Sequence, residues 1–180
     1  MAVSFLNADY ELPIINDGNS RWAKLKDGPN TVRILGDGVA GYEWWINNEV
    51  TRVEKATDIP NGQEHKHFWM IPVSIDYGPT QIWTITQATI QRAIRDLDQN
   101  KNWGDAINYD LTITRTGQKL ETSYTVVPNP KSPMAKSVKT DYEAWVKDPD
   151  NSIGEIAFGP GYTPPTPPKK DTDDDDLPFY

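Results

Sequence analysis

The chain has no cysteine. That excludes disulfides, thiolate catalysis and every zinc site built on Cys ligands. Histidine is nearly missing too: His65 and His67 flank Lys66, and no acidic pair stands beside them to complete a metal site. They read as ordinary surface histidines, and no metal or cofactor is expected. Long apolar runs are also absent, with no stretch approaching the ~18 residues that span a membrane. The N-terminal MAVSFLNADYELPI has neither a basic leader nor a continuous apolar segment. The expectation is a soluble, unexported protein working in the cytoplasm without membrane contact. No GxxxxGK[ST], HExxH or Ser-His-Asp pattern occurs, so no active site and no enzyme is expected.

Positive charge is scarce as well. With 18 Lys and Arg against 26 Asp and Glu, the formal net charge is -8, which argues against a polyanionic partner if the charge is spread evenly. It is not. Five of the acidic residues (Asp171, Asp173, Asp174, Asp175, Asp176) fall in the last ten positions, leaving 21 acidic against 18 basic residues before them. That body is only mildly acidic and can still gather its bases on one face. Aromatics, by contrast, are plentiful: seven Trp in 180 residues exceed what a core of this size requires.

A chain of this length builds one core, so the sequence divides into a globular domain over 1–158, a linker over 159–170 and a tail over 171–180. Five prolines between Pro160 and Pro168 make the linker stiff and extended. DTDDDDLPFY is a like-charge run expected to stay disordered and solvated until it meets a basic surface.

Within 1–158, alternating apolar residues and turn residues predict strands at Asn30–Leu35, Tyr42–Ile46, Glu49–Glu54, Phe68–Ile75 and Gln81–Ile85. A hairpin is predicted from Tyr109–Arg115 and Thr122–Val127 around Gly117. Residues 87–99 place Ile90, Ile94 and Leu97 on one stripe and predict a mid-chain α-helix capped by Thr86. A short second helix is predicted from Thr140, on the capping-box spacing of Thr140 and Glu143, stopping before Pro149. The expected fold is mainly β: a single OB-like five-stranded barrel with these two helices.

Successive residues on a strand face opposite ways, so Trp44-Trp45 and Phe68-Trp69 each display one member. In Phe68–Ile75 the apolar set Trp69, Ile71, Val73 and Ile75 takes the core, which turns Phe68 outward with Met70 and Pro72. The same alternation turns Arg33 outward. Displayed aromatics beside bases suit single-strand binding, because every nucleotide offers a π-face and a phosphate. The candidate contacts are Trp22, Lys24, Lys26, Arg33, Trp44, Arg52, Lys66, Phe68, Arg115 and Lys119. The cluster Asp96, Asp98, Asp105 and Asp110 raises a Mg²⁺-dependent nuclease as a rival. Two of these lie on one helix beside Arg92 and Arg95, where a solvated, ion-paired face is the simpler account.

WAKLKDGPNTVRIL resembles the opening strand signature of single-stranded DNA-binding proteins of tailed phages, an aromatic followed by a Lys-Asp-Gly turn and a V-R-I-L strand. HKHFWMIPV, QIWTITQATIQRAIRDL, WGDAINYDLTITRTG and TSYTVVP look like that family's later elements in the same order, so the likeness covers roughly residues 20–130. It implies an OB-fold protein that coats single-stranded DNA during replication and recombination, with Lys24, Lys26, Arg33, Lys66 and Phe68 on the strand. DDDDLPFY is similar to the acidic tip of bacterial single-stranded DNA-binding proteins, which docks replication and repair enzymes. The likeness implies that role for Asp173, Asp174, Asp175, Asp176, Leu177, Pro178 and Phe179. Tyr180 departs from that tip, which ends on Phe. The chain also lacks the Cys-containing zinc subdomain of some phage relatives and a basic N-terminal arm. An RNA-binding or cold-shock-like module uses the same stacking physics and is the other alternative.

Overall fold

The computed structural model describes residues 20–165. Seven strands form one antiparallel sheet: β1 (Gly28–Ile34), β2 (Val39–Ile46), β3 (Glu49–Val53), β4 (Lys66–Ile75), β5 (Thr80–Ile85), β6 (Leu111–Thr116) and β7 (Ser123–Pro128). Three helices accompany it: α1 (Ala88–Asp98), α2 (Lys136–Val146) and α3 (Ile153–Phe158). The protein is therefore mainly β, as its alternation predicts. All seven strand segments predicted one by one are present, and they join in one seven-stranded sheet where a five-stranded barrel was expected. Among the described residues the sheet is open, with no ladder between β5 and β7. No helix of the described residues is long and apolar enough to cross a membrane.

β4 organises the sheet. One of its edges pairs with β5 along Trp69–Ser74, while the other pairs with β2 at Lys66–Met70 and with β1 at Val73–Ile75. β1 and β2 thus run end to end along one edge, with Leu35, Gly36, Asp37 and Gly38 bulging opposite Ile71 and Pro72. Two residues locate the bulge. Pro72 has no N–H to give, and its carbonyl accepts from Leu35 N at 3.0 Å, so its missing donor faces the bulge and costs no ladder bond. At Gly38 a Cβ would run into the Met70 carbonyl, so only glycine lets the chain pass this close. Beyond the bulge, β1 pairs with β6, and β6 with β7.

Both faces of β4 are covered. On the inner face Val32, Ile34, Val73, Trp83, Ile85, Leu111 and Ile113 form the main core, closed by Ile90 and Ile94 of α1. Trp69, Ile71 and Ile75 pack against it, the phase that the alternation predicts. On the outer face Phe68, Met70 and Ile82 form a second cluster with Ala157, backed by Trp145, Ile153, Ile156 and Phe158. Here the expectation fails: Phe68 and Met70 lie on the predicted face, but α2 and α3 fold over it and both are 0% exposed.

The helices need three corrections. α1 has Gln87, not Thr86, at its N-cap, with no side-chain cap bond. α2 begins at Lys136, a turn before Thr140, so there is no capping box. Thr140 is mid-helix instead, and its hydroxyl donates to the Lys136 carbonyl. α3 was not anticipated, because IGEIAF is too short for a helical period to stand out.

The cap formed by α2 and α3 is fastened by specific bonds. Asp141 accepts from both the backbone N and the hydroxyl of Thr80, at 2.7 and 2.6 Å. Phe158 packs on Phe68 and on Tyr162, and the Tyr162 hydroxyl donates to Glu54. Gly41 leaves the space into which the Phe158 ring fits.

Candidate nucleic-acid interface

The expected contacts do not converge on one surface. They fall into three groups, and several are spent on the fold.

The first group surrounds a groove of about 840 Å³ at the end of β2. β4 begins only at Lys66, so β2 beyond Glu43 has no ladder partner on that side, and residues 62–65 form the opposite wall. Trp44, Trp45, His65 and Lys66 line it. Of the tryptophan pair one is displayed, as alternation requires, but it is Trp45 at 63% exposure, while Trp44 is 6% exposed and forms part of the floor. Trp44 is thus corrected as a displayed side chain. Lys66 is exposed. Arg52 pairs with the buried Glu43 at 3.0 Å and lies over the Phe68 ring, 5.2 Å from its centroid. Its charge is engaged by the fold, and Phe68, fully buried, cannot stack on a base in this state. The groove holds no surplus of bases, since Glu64 also lines it. What it offers is an indole at its lip with an ammonium alongside.

The second group lies at the start of β1 and the β6–β7 hairpin. Lys24 is exposed. Lys26 pairs with Asp76 at 2.6 Å. Burial alone would raise the Asp76 carboxyl, but its bonds to Lys26 and to the Thr31 N–H outweigh that and hold it below its ordinary value. Arg115 is ion-paired with Asp27. Lys119 sits exposed at the hairpin turn with φ 51°. Trp22, 40% exposed, is a separate feature that bridges to Ile82 on β5.

The third is Arg33. It projects from the outer face, as expected, but is 7% exposed, a correction to its predicted display. Its guanidinium donates to Asp110 at 3.1 Å and to the Ser132 carbonyl at 2.8 Å, while its buried Nε has no partner. Asp110 also accepts from the hydroxyl of Tyr77, an aromatic 60% exposed that sequence reasoning missed. The Asp110 charge, then its hydrogen bond, raises the Tyr77 phenol above its ordinary value. Tyr77 and Asp76 both have positive φ in the β4–β5 turn, which no pattern of apolar residues reveals.

The four carboxylates of the nuclease rival are engaged separately. Asp96 pairs with Arg95, Asp98 accepts from Ala106 N, Asp105 from Ile107 N, and Asp110 binds Arg33. Among the described residues no group of three or more His, Asp or Glu could hold a metal ion. The tail residues Asp173, Asp174, Asp175, Asp176, Leu177, Pro178 and Phe179 lie outside the described residues.

Compared with protein-family models, with curated proteins and with solved structures, the chain matches none.

Proposed function

We propose that this chain binds single-stranded DNA with little sequence preference, and that its bases stack on Trp45 in the groove beside Lys66. The observation that carries the reading is the indole itself. A tryptophan 63% exposed on a strand, over a groove with an ammonium in its wall, gives up burial that a structural residue would use.

The strand connectivity supports the same reading. With β1 and β2 taken as one long bulged strand, the chain runs strand, β4, β5, α1, β6, β7. The first strand pairs with both β4 and β6, which is the order of a five-stranded OB barrel. In that description β3 is the one added strand, joined to β2 by the Asn47-Asn48 turn, and Trp45 stands near that turn. The proposed role is coating single strands in replication and recombination, with partner enzymes recruited through the acidic tail.

Titration of the full chain with oligo-dT tests it. Trp fluorescence should be quenched, and Trp45→Ala should weaken binding by about five-fold to a hundred-fold, the ~1–3 kcal/mol of one stacked base. An affinity unchanged by Trp45→Ala would remove the groove from the site, and a wild-type chain that binds no oligo-dT would end the reading. An oligo-U strand of equal length separates DNA from RNA preference.

A further inference from the structure

A second groove, of about 830 Å³, lies where the chain crosses from β7 to α2. Arg33, Lys131 and Lys139 line it together with Ile107, Met134 and Tyr142. From Asn129 to Thr140 the sequence carries Lys131, Lys136 and Lys139 and no acidic residue. All three lysines are exposed. The opposing charges are Glu143, which lines the groove 3.9 Å from Lys139, Asp37, whose charge acts on Tyr142, and Asp110, which divides its single charge between Arg33 and the Tyr77 hydroxyl.

Two further observations mark the groove as a place for an anion. Arg33 is more than nine-tenths buried in its wall, and its Nε has no acceptor. That atom is itself closed to solvent, so the guanidinium acts on the groove through its charge and not as a free donor. α2 starts beside it at Ala135, which offers no side-chain cap, and its first turn contains Lys136 and Lys139 but no acid. Lysines there oppose the helix dipole, so the helix end gains from a negative group that the chain does not supply.

We infer that this groove holds backbone phosphates of the same single strand whose bases stack at Trp45. The inference rests on the reading above and extends it to a second contact region. Its geometry is set by β4. Arg33 pairs with Ser74, and Glu43, next but one to Trp45 on the same face, pairs with Lys66. Both grooves therefore open on the outer face, at either end of the α2–α3 cap. The eight residue steps of β4 from 66 to 74 separate them by about 26 Å, at ~3.3 Å per step. A strand with ~3.4 Å or more between successive phosphates covers that with no more than about eight nucleotides. Exposed Tyr77, tied to Arg33 through Asp110, provides a second stacking surface where the phosphates pass.

The test compares the full chain with Lys131→Ala/Lys139→Ala, using Lys101→Ala as a charge control outside both grooves. Binding of dT15 and dT4 is followed by Trp fluorescence across a salt series. For dT15 the double variant should bind more weakly, and its slope of log K on log salt should be shallower by about 1.4, two phosphates at ~0.7 each. For dT4, too short to bridge the grooves, wild type and double variant should agree. If dT15 quenches normally but the double variant keeps the slope of the Lys101→Ala control, the inference fails while the Trp45 reading stands. An equal loss on dT4 and dT15 also overturns it, because the groove would then take an isolated phosphate and not a bridging strand. Absence of dT15 binding by the wild type overturns both.

Discussion

The two faces of β4 are both apolar and both buried, yet they were not equally visible. The inner face contributes to a core built from strands and α1, with partners spread from Ala23 to Val126. The outer face is buried by a single late segment, α2 to Tyr162, held by Asp141, Phe158 and Tyr162. One face is packed among side chains of the sheet and closed by α1. The other depends on a cap that could be weakened without dissolving the sheet.

Substitution on the capped face should have the largest effect on stability. Phe68→Ala removes a fully buried ring and should cost about 3–5 kcal/mol in chemical denaturation. Trp45→Ala, at a displayed position, should stay within about 0.5 kcal/mol. Equal costs would mean that the cap does not bury Phe68 in solution.

Asp141→Ala comes next. It removes both bonds from Thr80 and leaves a buried backbone N–H without an acceptor, a loss of about 1.5–3 kcal/mol. Hydrogen exchange should accelerate in α2 and α3 while β1 and β6 stay protected. Uniform acceleration would show that cap and sheet unfold as one unit and would remove the contrast between the faces.

The smallest effect is on pH dependence. Burial, then the Asp37 charge, raises the Tyr142 phenol, while burial and then the bond to Glu54 raise Tyr162. A phenol whose folded pKa is raised holds its proton more tightly when folded. Its contribution is therefore complete below the unfolded value of about 10 and declines as pH rises from there through the folded value. Buried Tyr109 of the main core is raised in the same sense, by burial first and then by Asp98 and Asp105. The comparison is therefore made within the cap: Tyr162→Phe should lessen the alkaline loss of stability and remove one late step from the phenolate absorbance titration. An unchanged alkaline profile would show that the Tyr162 bond to Glu54 does not couple to folding.

Much of the sheet was legible. Every strand predicted from alternation and turn residues exists, with ends shifted by a few residues, because side chains on a pleat must alternate and glycine, asparagine and proline interrupt it. α1 was legible from Ile90, Ile94 and Leu97 for the same reason at a helical period. The candidate site was much less so. Lys26, Arg33, Arg52 and Arg115 were expected on the strand and are found in ion pairs, since a base's partner can lie anywhere in the chain: Arg33 meets Asp110 across 77 positions. Trp45 and Tyr77 were missed for different reasons. Alternation names a tryptophan pair without choosing its displayed member, and Tyr77 sits in a turn.

The sequence by itself determined the alternation of each strand, the stripe of α1 and the lack of Cys ligands, all of which follow from residue type and local spacing. It also determined that Phe68 and Arg33 point away from the main core. Only the tertiary structure decided what meets them there. A face with an exposed edge and a face under a helical cap carry the same local pattern, and the difference is made by α2 and α3, whose residues lie about 70 to 90 positions further along the chain than Phe68. Whether an outward aromatic stacks on a ligand or on Phe158 is a long-range packing outcome, and local spacing carries no record of it.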